Sequence, residues 1–239
     1  MHMFTVNHWI WLSAIGIGIA VALTVLRRRG VTHRAVGRAV TVILIILKIF
    51  HMSLSMKASE FGGYVLDQTQ LSFHLCSIMI YAIILVNMIR NERVIRVLKS
   101  FMVPCLFIGA LMALLIPTEG VDFTAPRVWQ YMLIHGVLVF YGIYLAAVER
   151  VDLSMRAYVN NLKLLCGVAL VAFLMNSVLE QYQTNFLFLR LPPMENLPLL
   201  NLNHGWYVYF VTLTAVACLL TLLVQLPFML WNARRGAGK

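Results

Sequence analysis

The chain has 239 residues, 61% of them hydrophobic and only 12% charged, with a formal net charge of +10. Soluble domains carry roughly twice that charged fraction, so the composition excludes an ordinary soluble fold and predicts an all-α integral membrane protein. In such a chain the placement of Lys and Arg matters more than their sum, and no nucleic-acid partner follows from the positive charge.

A helix of about 20 apolar residues crosses about 30 Å of hydrocarbon, and seven stretches approach that length. They run His8–Leu26, Val36–Met56, Leu71–Ile89, Phe101–Ile116, Val128–Val148, Leu162–Leu179 and Trp206–Trp231. Apart from Lys48, Lys57, Arg127 and Arg190, every Lys and Arg falls in alternate connections or in the tail that ends at Lys239. Basic residues stay cytoplasmic, which predicts an outside amino terminus and a cytoplasmic carboxyl terminus. Residues 1–239 therefore read as one seven-helix transmembrane domain, multi-pass in the cell membrane. The first span has no basic residue before it and Arg27, Arg28 and Arg29 after it, so it is expected to stay as an anchor. Cys76, Cys105, Cys166 and Cys218 all lie within spans without CxxC spacing, which points to packing and not to a disulfide framework.

In the second span Lys48 and His51 are three residues apart and share one helical face. A lysine near mid-bilayer costs roughly 2.5 to 3.5 kcal/mol to insert, so Lys48 needs an ion-pair partner, with Glu180 the candidate, or an aqueous cavity. The next connection, with Glu60, Gly62, Gly63 and Asp67, reads as turns. The third span opens on Gln70-Leu71-Ser72-Phe73-His74-Leu75-Cys76-Ser77, and polar groups in lipid must find partners or water. At helical spacing Cys76 points about 200° away from His74, so a base for its thiol would come from another helix.

The fourth span, with Pro104 and Gly109, reads as scaffold. The fifth carries Gln130, Tyr131 and His135, which puts His135 roughly 10 to 12 Å below the outer edge. Asn176 and Glu180 lie one turn apart at the end of the sixth. The connection 181–204 is long, and Asn185-Phe186-Leu187-Phe188-Leu189-Arg190 followed by Pro192 and Pro193 is too apolar for water, so it is expected to cover the membrane face as a lid. The seventh span contains no lysine to carry a retinal Schiff base.

With this topology Lys48, His51, His74, Cys76, His135, Asn176, Glu180, Asn185 and His204 fall in the middle or outer half of the membrane or in its outer loops. The inner half has Asn87 and Gln225 as its clearest polar residues. One outward-facing polar cavity is the expectation. A zinc site built from His51, His74 and His135 has no diagnostic spacing such as HExxH behind it, and no cofactor is indicated.

The run Leu71-Ser72-Phe73-His74-Leu75-Cys76, the His135-Gly136 pair and Asn185 to Leu189 ahead of prolines resemble the bacterial YwaF-type integral membrane proteins. These are distantly similar to eukaryotic membrane acyltransferases acting on ether phospholipids and to androgen-induced-gene type fatty-ester hydrolases. The resemblance implies acyl transfer by a membrane-embedded nucleophile and a histidine, with His74 and His135 at the histidine positions. Phe73 stands where those acyltransferases carry cysteine.

The expected activity is a lipid acyltransferase or esterase with membrane lipids as partners. Its catalytic candidates are His74, His135, Glu180 and Cys76, and its substrate-binding candidates are Lys48, His51, Asn176 and Asn185. Either histidine would act as general base, Lys48 or Asn176 would stabilise an oxyanion, and Glu180 would orient a histidine. The alternative is a binding or transport protein that holds a small solute or lipid headgroup between Lys48 and Glu180.

Overall fold

The computed structural model describes residues 4–58, 62–71, 73–193, 197 and 199–236. Glu60, Ser72 and Lys239 lie outside the described residues, as do the side chains of Gln70, Arg234 and Arg235. Seven helices follow one another: α1 (Val6–Arg29), α2 (His33–Leu54), α3 (Leu75–Met88), α4 (Glu92–Leu115), α5 (Pro126–Glu149), α6 (Met155–Val178) and α7 (Trp206–Gly236). A short antiparallel hairpin, β1 (Met56–Ala58) with β2 (Tyr64–Leu66), separates α2 from α3.

The starts of these helices follow from side chains that satisfy their first amides. Thr5, Thr32, Asn91 and Ser154 accept from the backbones of α1, α2, α4 and α6, and Pro126 opens α5 where no amide is needed. Gly30 ends α1 in the left-handed conformation at φ 57°, behind three arginines that offset the negative end of the helix dipole.

Six helices are long and apolar enough to cross a membrane. The exception is α3, whose 14 residues reach only about 21 Å. The apolar run expected from Leu71 to Ile89 becomes helical only at Leu75, because residues 68–70 form a 3₁₀ turn and His74 is still extended at ψ 151°.

Helices α4 and α5 form the centre, packed against each other and flanked by α1, α2, α3, α6 and α7. Close approach is built into α2, where a Cβ on Gly37 would stand 2.5 Å from Asn87 Oδ1 of α3. Asn87 in turn donates to Thr41 Oγ1 at 3.0 Å and to the Ile83 carbonyl at 2.8 Å, so this polar residue serves helix packing. Pro104 inside α4 has no N–H for the Ser100 carbonyl, and Asn161 Nδ2 of α6 donates to that carbonyl instead at 3.2 Å. A wider, π-type turn follows at Phe107–Leu111, and another ends α5 at Tyr144–Glu149.

Contacts between helix ends show that α1, α2, α4 and α5 alternate in direction. At one end the start of α1 meets the end of α4, where His8 Nε2 donates to the Leu114 carbonyl at 2.8 Å. The Phe4 amide donates to His8 Nδ1 at 2.9 Å, which fixes that tautomer. At the opposite, arginine-bearing end His33 Nδ1 and the Tyr144 hydroxyl share a 2.7 Å hydrogen bond, and Lys99 pairs with Glu149. The sequence expectation of a sparsely polar inner half missed this second group.

Candidate functional site

Helices α2, α3 and α5 pack against one another and share polar side chains at the loop-bearing end. From α2, Lys48 lies within electrostatic range of His74, and one helical turn on His51 lies within range of His135. His51 Nδ1 donates to Gln130 Oε1 of α5 at 3.4 Å. His135 donates from Nδ1 to the Tyr131 carbonyl at 2.7 Å, an i−4 bond that orients the ring and leaves its lone pair on Nε2. The Tyr131 ring lies against His135 with centroids 4.3 Å apart, and its hydroxyl donates to the Ala113 carbonyl at 3.0 Å.

Lys48 has no carboxylate within salt-bridge distance among the described residues. Glu180 instead accepts from Arg190 Nη2 at 2.8 Å. His74 makes no side-chain cap bond at the start of α3. Its ring is met by the rings of Phe186 and Phe188, with centroids at 5.5 and 5.7 Å. Cys76 is packed at a notch in α4: a Cβ on Gly109 would lie 3.0 Å from its Sγ. Among the described residues no histidine hydrogen-bonds that sulfur. Lys48, His51, His74 and His135, drawn from three separate stretches of the sequence, thus meet where α2, α3 and α5 adjoin, while Cys76 faces α4.

Asn176, Glu180 and Asn185 belong instead to the segment that reaches His74. Asn176 grips the Phe186 backbone from both sides, accepting its amide at 2.8 Å and donating to its carbonyl at 3.1 Å. Asn185 Oδ1 accepts the amides of Arg190 at 3.0 Å and Leu191 at 3.2 Å, and its Nδ2 donates to the Leu191 carbonyl at 2.9 Å. From α7, Trp206 Nε1 donates to the Leu189 carbonyl at 2.9 Å and Tyr209 donates to the Phe188 carbonyl. Leu187 and Phe188 sit in the left-handed region at φ 54° and 57°, a conformation that costs roughly 1–2 kcal/mol per non-glycine residue. The surrounding hydrogen bonds hold them there. Phe186 is fully buried with Ala172 and Leu189, beside Leu71 and Phe73. His204 is exposed and outside both groups.

Gln130, Tyr131 and Phe188 are contributors that sequence reasoning underused. Gln130 and Tyr131 stand five and four residues before His135, a little over one helical turn, which is the one signal that pointed to them. Among the described residues no three His, Cys, Asp or Glu side chains are grouped as metal ligands.

Six lipid-length helices around a buried polar junction define a multi-pass all-α membrane protein. The chain belongs to the TMEM164 family, whose model matches residues 3–225. That match gives a family of membrane proteins; the YwaF-type name and the acyltransferase relationship do not come from it. No curated protein matches the chain, and no solved structure does.

Proposed function

We propose that the protein is a lipid acyl-transfer enzyme, an acyltransferase or esterase, working on an ester carbonyl between Lys48 and His74. What supports the reading is that one face of α2 carries both Lys48, an ammonium within electrostatic range of His74 and without a carboxylate partner among the described residues, and His51 within range of His135. Even half-buried, as Lys48 is, an ammonium within a membrane span is costly to keep, and membrane proteins keep such groups where they act.

In this scheme the oxygen of water or of an acceptor-lipid hydroxyl attacks the ester carbonyl carbon while a His74 ring nitrogen takes its proton. The charge that develops on the carbonyl oxygen faces Lys48 Nζ. Collapse of the tetrahedral intermediate breaks the ester C–O bond, and the departing alkoxide recovers the proton from His74. His135 Nε2 offers its lone pair to a substrate hydroxyl, and Phe186 and Phe188 exclude bulk water as the lid over His74. Cys76 packs against Gly109 and forms no acyl-enzyme.

Purified protein in phospholipid micelles carrying an isotope-labelled acyl chain provides the test, with free and transferred acyl chains measured by mass spectrometry. Wild type is expected to move the label, and His74→Gln to lower the rate by about 10²- to 10⁴-fold. Cys76→Ala is expected to stay within about threefold of wild type, since a residue that makes no bond in the reaction contributes little to the barrier. No label movement by folded wild type would refute the enzyme reading, and a dead Cys76→Ala would refute the direct route.

A further inference from the structure

A cavity of about 650 Å³ opens beside α6, and its lining includes Asn176, Glu180, Thr184, Arg190 and Trp206. Its size lies within the range of small-ligand sites, roughly 300–1,000 Å³. Among the described residues, one side-chain atom on each of two lining residues, Arg190 Nη1 and Thr184 Oγ1, is buried without a hydrogen-bond partner. Thr184 as a whole is 1% exposed. A buried donor without a partner is destabilising and is uncommon in folded proteins, and here both belong to residues that line one cavity.

We propose that this cavity binds a phosphate-type oxyanion, with Arg190 and Thr184 as its donors. The guanidinium fork matches two oxygens of a phosphate in one plane, and the Thr184 hydroxyl supplies a third contact. The Glu180 carboxylate acts as an internal competitor for Arg190. Its side chain is 71% exposed, so the pair is weak and an incoming anion can displace it. Asn176 lines the cavity and also holds the Phe186 backbone, so a bound anion lies next to the segment that covers His74. The site is independent of the acyl chemistry proposed above and is tested by binding alone.

The test uses the full chain in uncharged detergent, titrated separately with inorganic phosphate, with phosphatidic acid, and with diacylglycerol of the same acyl chains as the phosphate-free control. Binding is read from the thermal unfolding midpoint and from lipid retained in native mass spectrometry. Phosphatidic acid should raise the midpoint and diacylglycerol should not. A rise with inorganic phosphate as well identifies a free oxyanion as sufficient, whereas a rise with phosphatidic acid alone assigns the site to a lipid headgroup. Arg190→Gln should weaken binding about tenfold or more, through loss of the charge-assisted guanidinium fork. Glu180→Gln should tighten it by removing the competitor, and that direction decides the matter if Arg190→Gln does not fold. No phosphate-dependent shift with either probe, wild-type binding by Arg190→Gln, or unchanged or weaker binding by Glu180→Gln would overturn the proposal.

Discussion

At the residue scale, the side chains that matter most are those whose partners come from distant helices. His8 stands at the start of an anchor in the sequence, with nothing to mark it, yet it is fully buried and joins α1 to the Leu114 carbonyl at the end of α4. His8→Leu keeps comparable bulk but leaves that carbonyl unpaired, an expected loss of about 1–3 kcal/mol, seen as a lower unfolding midpoint. Lys48 and His51 were legible, because helical periodicity alone puts residues three apart on one face. Their neighbours His74 and His135 were named as candidates, but pairing Lys48 with His74 instead of Glu180 depends on which helices adjoin, and one sequence does not encode that visibly. Outside the membrane segments, the Lys57 ammonium beside Asp67 holds its carboxyl below the ordinary 3.8, with an ion pair of 2.6 Å. A lowered folded value stabilises the hairpin fully above the ordinary pKa and loses that effect as pH falls through the lowered one. Hydrogen exchange at the hairpin amides should therefore be slower at pH 6 than at pH 3, relative to the intrinsic rates, and Asp67→Asn should abolish the difference.

At the scale of elements, the segment 185–191 is held by contacts that its apolar composition does not announce. Its leucines and phenylalanines suggest a membrane-facing lid, while Phe186 is buried inside the protein, with Ala172 and Leu189. What holds it, however, is polar: Asn176, Asn185, Trp206 and Tyr209 satisfy its backbone from two helices and from within. Asn176 and Asn185 entered as substrate-binding candidates because polar residues in lipid attract suspicion, yet here their amides are spent on backbone partners. Asn176→Leu removes both bonds to Phe186 and is expected to cost about 1–3 kcal/mol per buried group left unpaired, with faster proteolysis between residues 185 and 193. The third span shows the opposite error. Hydropathy counts apolar side chains whatever their backbone, so the run from Leu71 concealed the turn and extended residues that deliver His74 to the start of α3. Pro104 looked like featureless scaffold, but the carbonyl it frees at Ser100 explains why Asn161 is buried in α6.

At the scale of the whole molecule, hydropathy sufficed for the all-helical architecture and for six of the lipid-length helices, since a membrane span is a requirement on length and composition alone. The pairing of Lys99 with Glu149 and of His33 with Tyr144 at the arginine-bearing end was not legible, because each joins two helix ends far apart in the chain. The same limit applies to the junction of α2, α3 and α5, where the proposed reaction keeps Lys48 for chemistry at an ester carbonyl and not for the fold. Replacing it by methionine preserves length and removes the charge, so the two roles separate cleanly. The most direct measurement is acyl transfer from labelled phospholipid by purified Lys48→Met, alongside its thermal unfolding midpoint. The account predicts a rate about 10²- to 10³-fold below wild type, the loss of one oxyanion-stabilising group, together with an equal or higher midpoint. Wild-type acyl transfer by a folded Lys48→Met protein would contradict it.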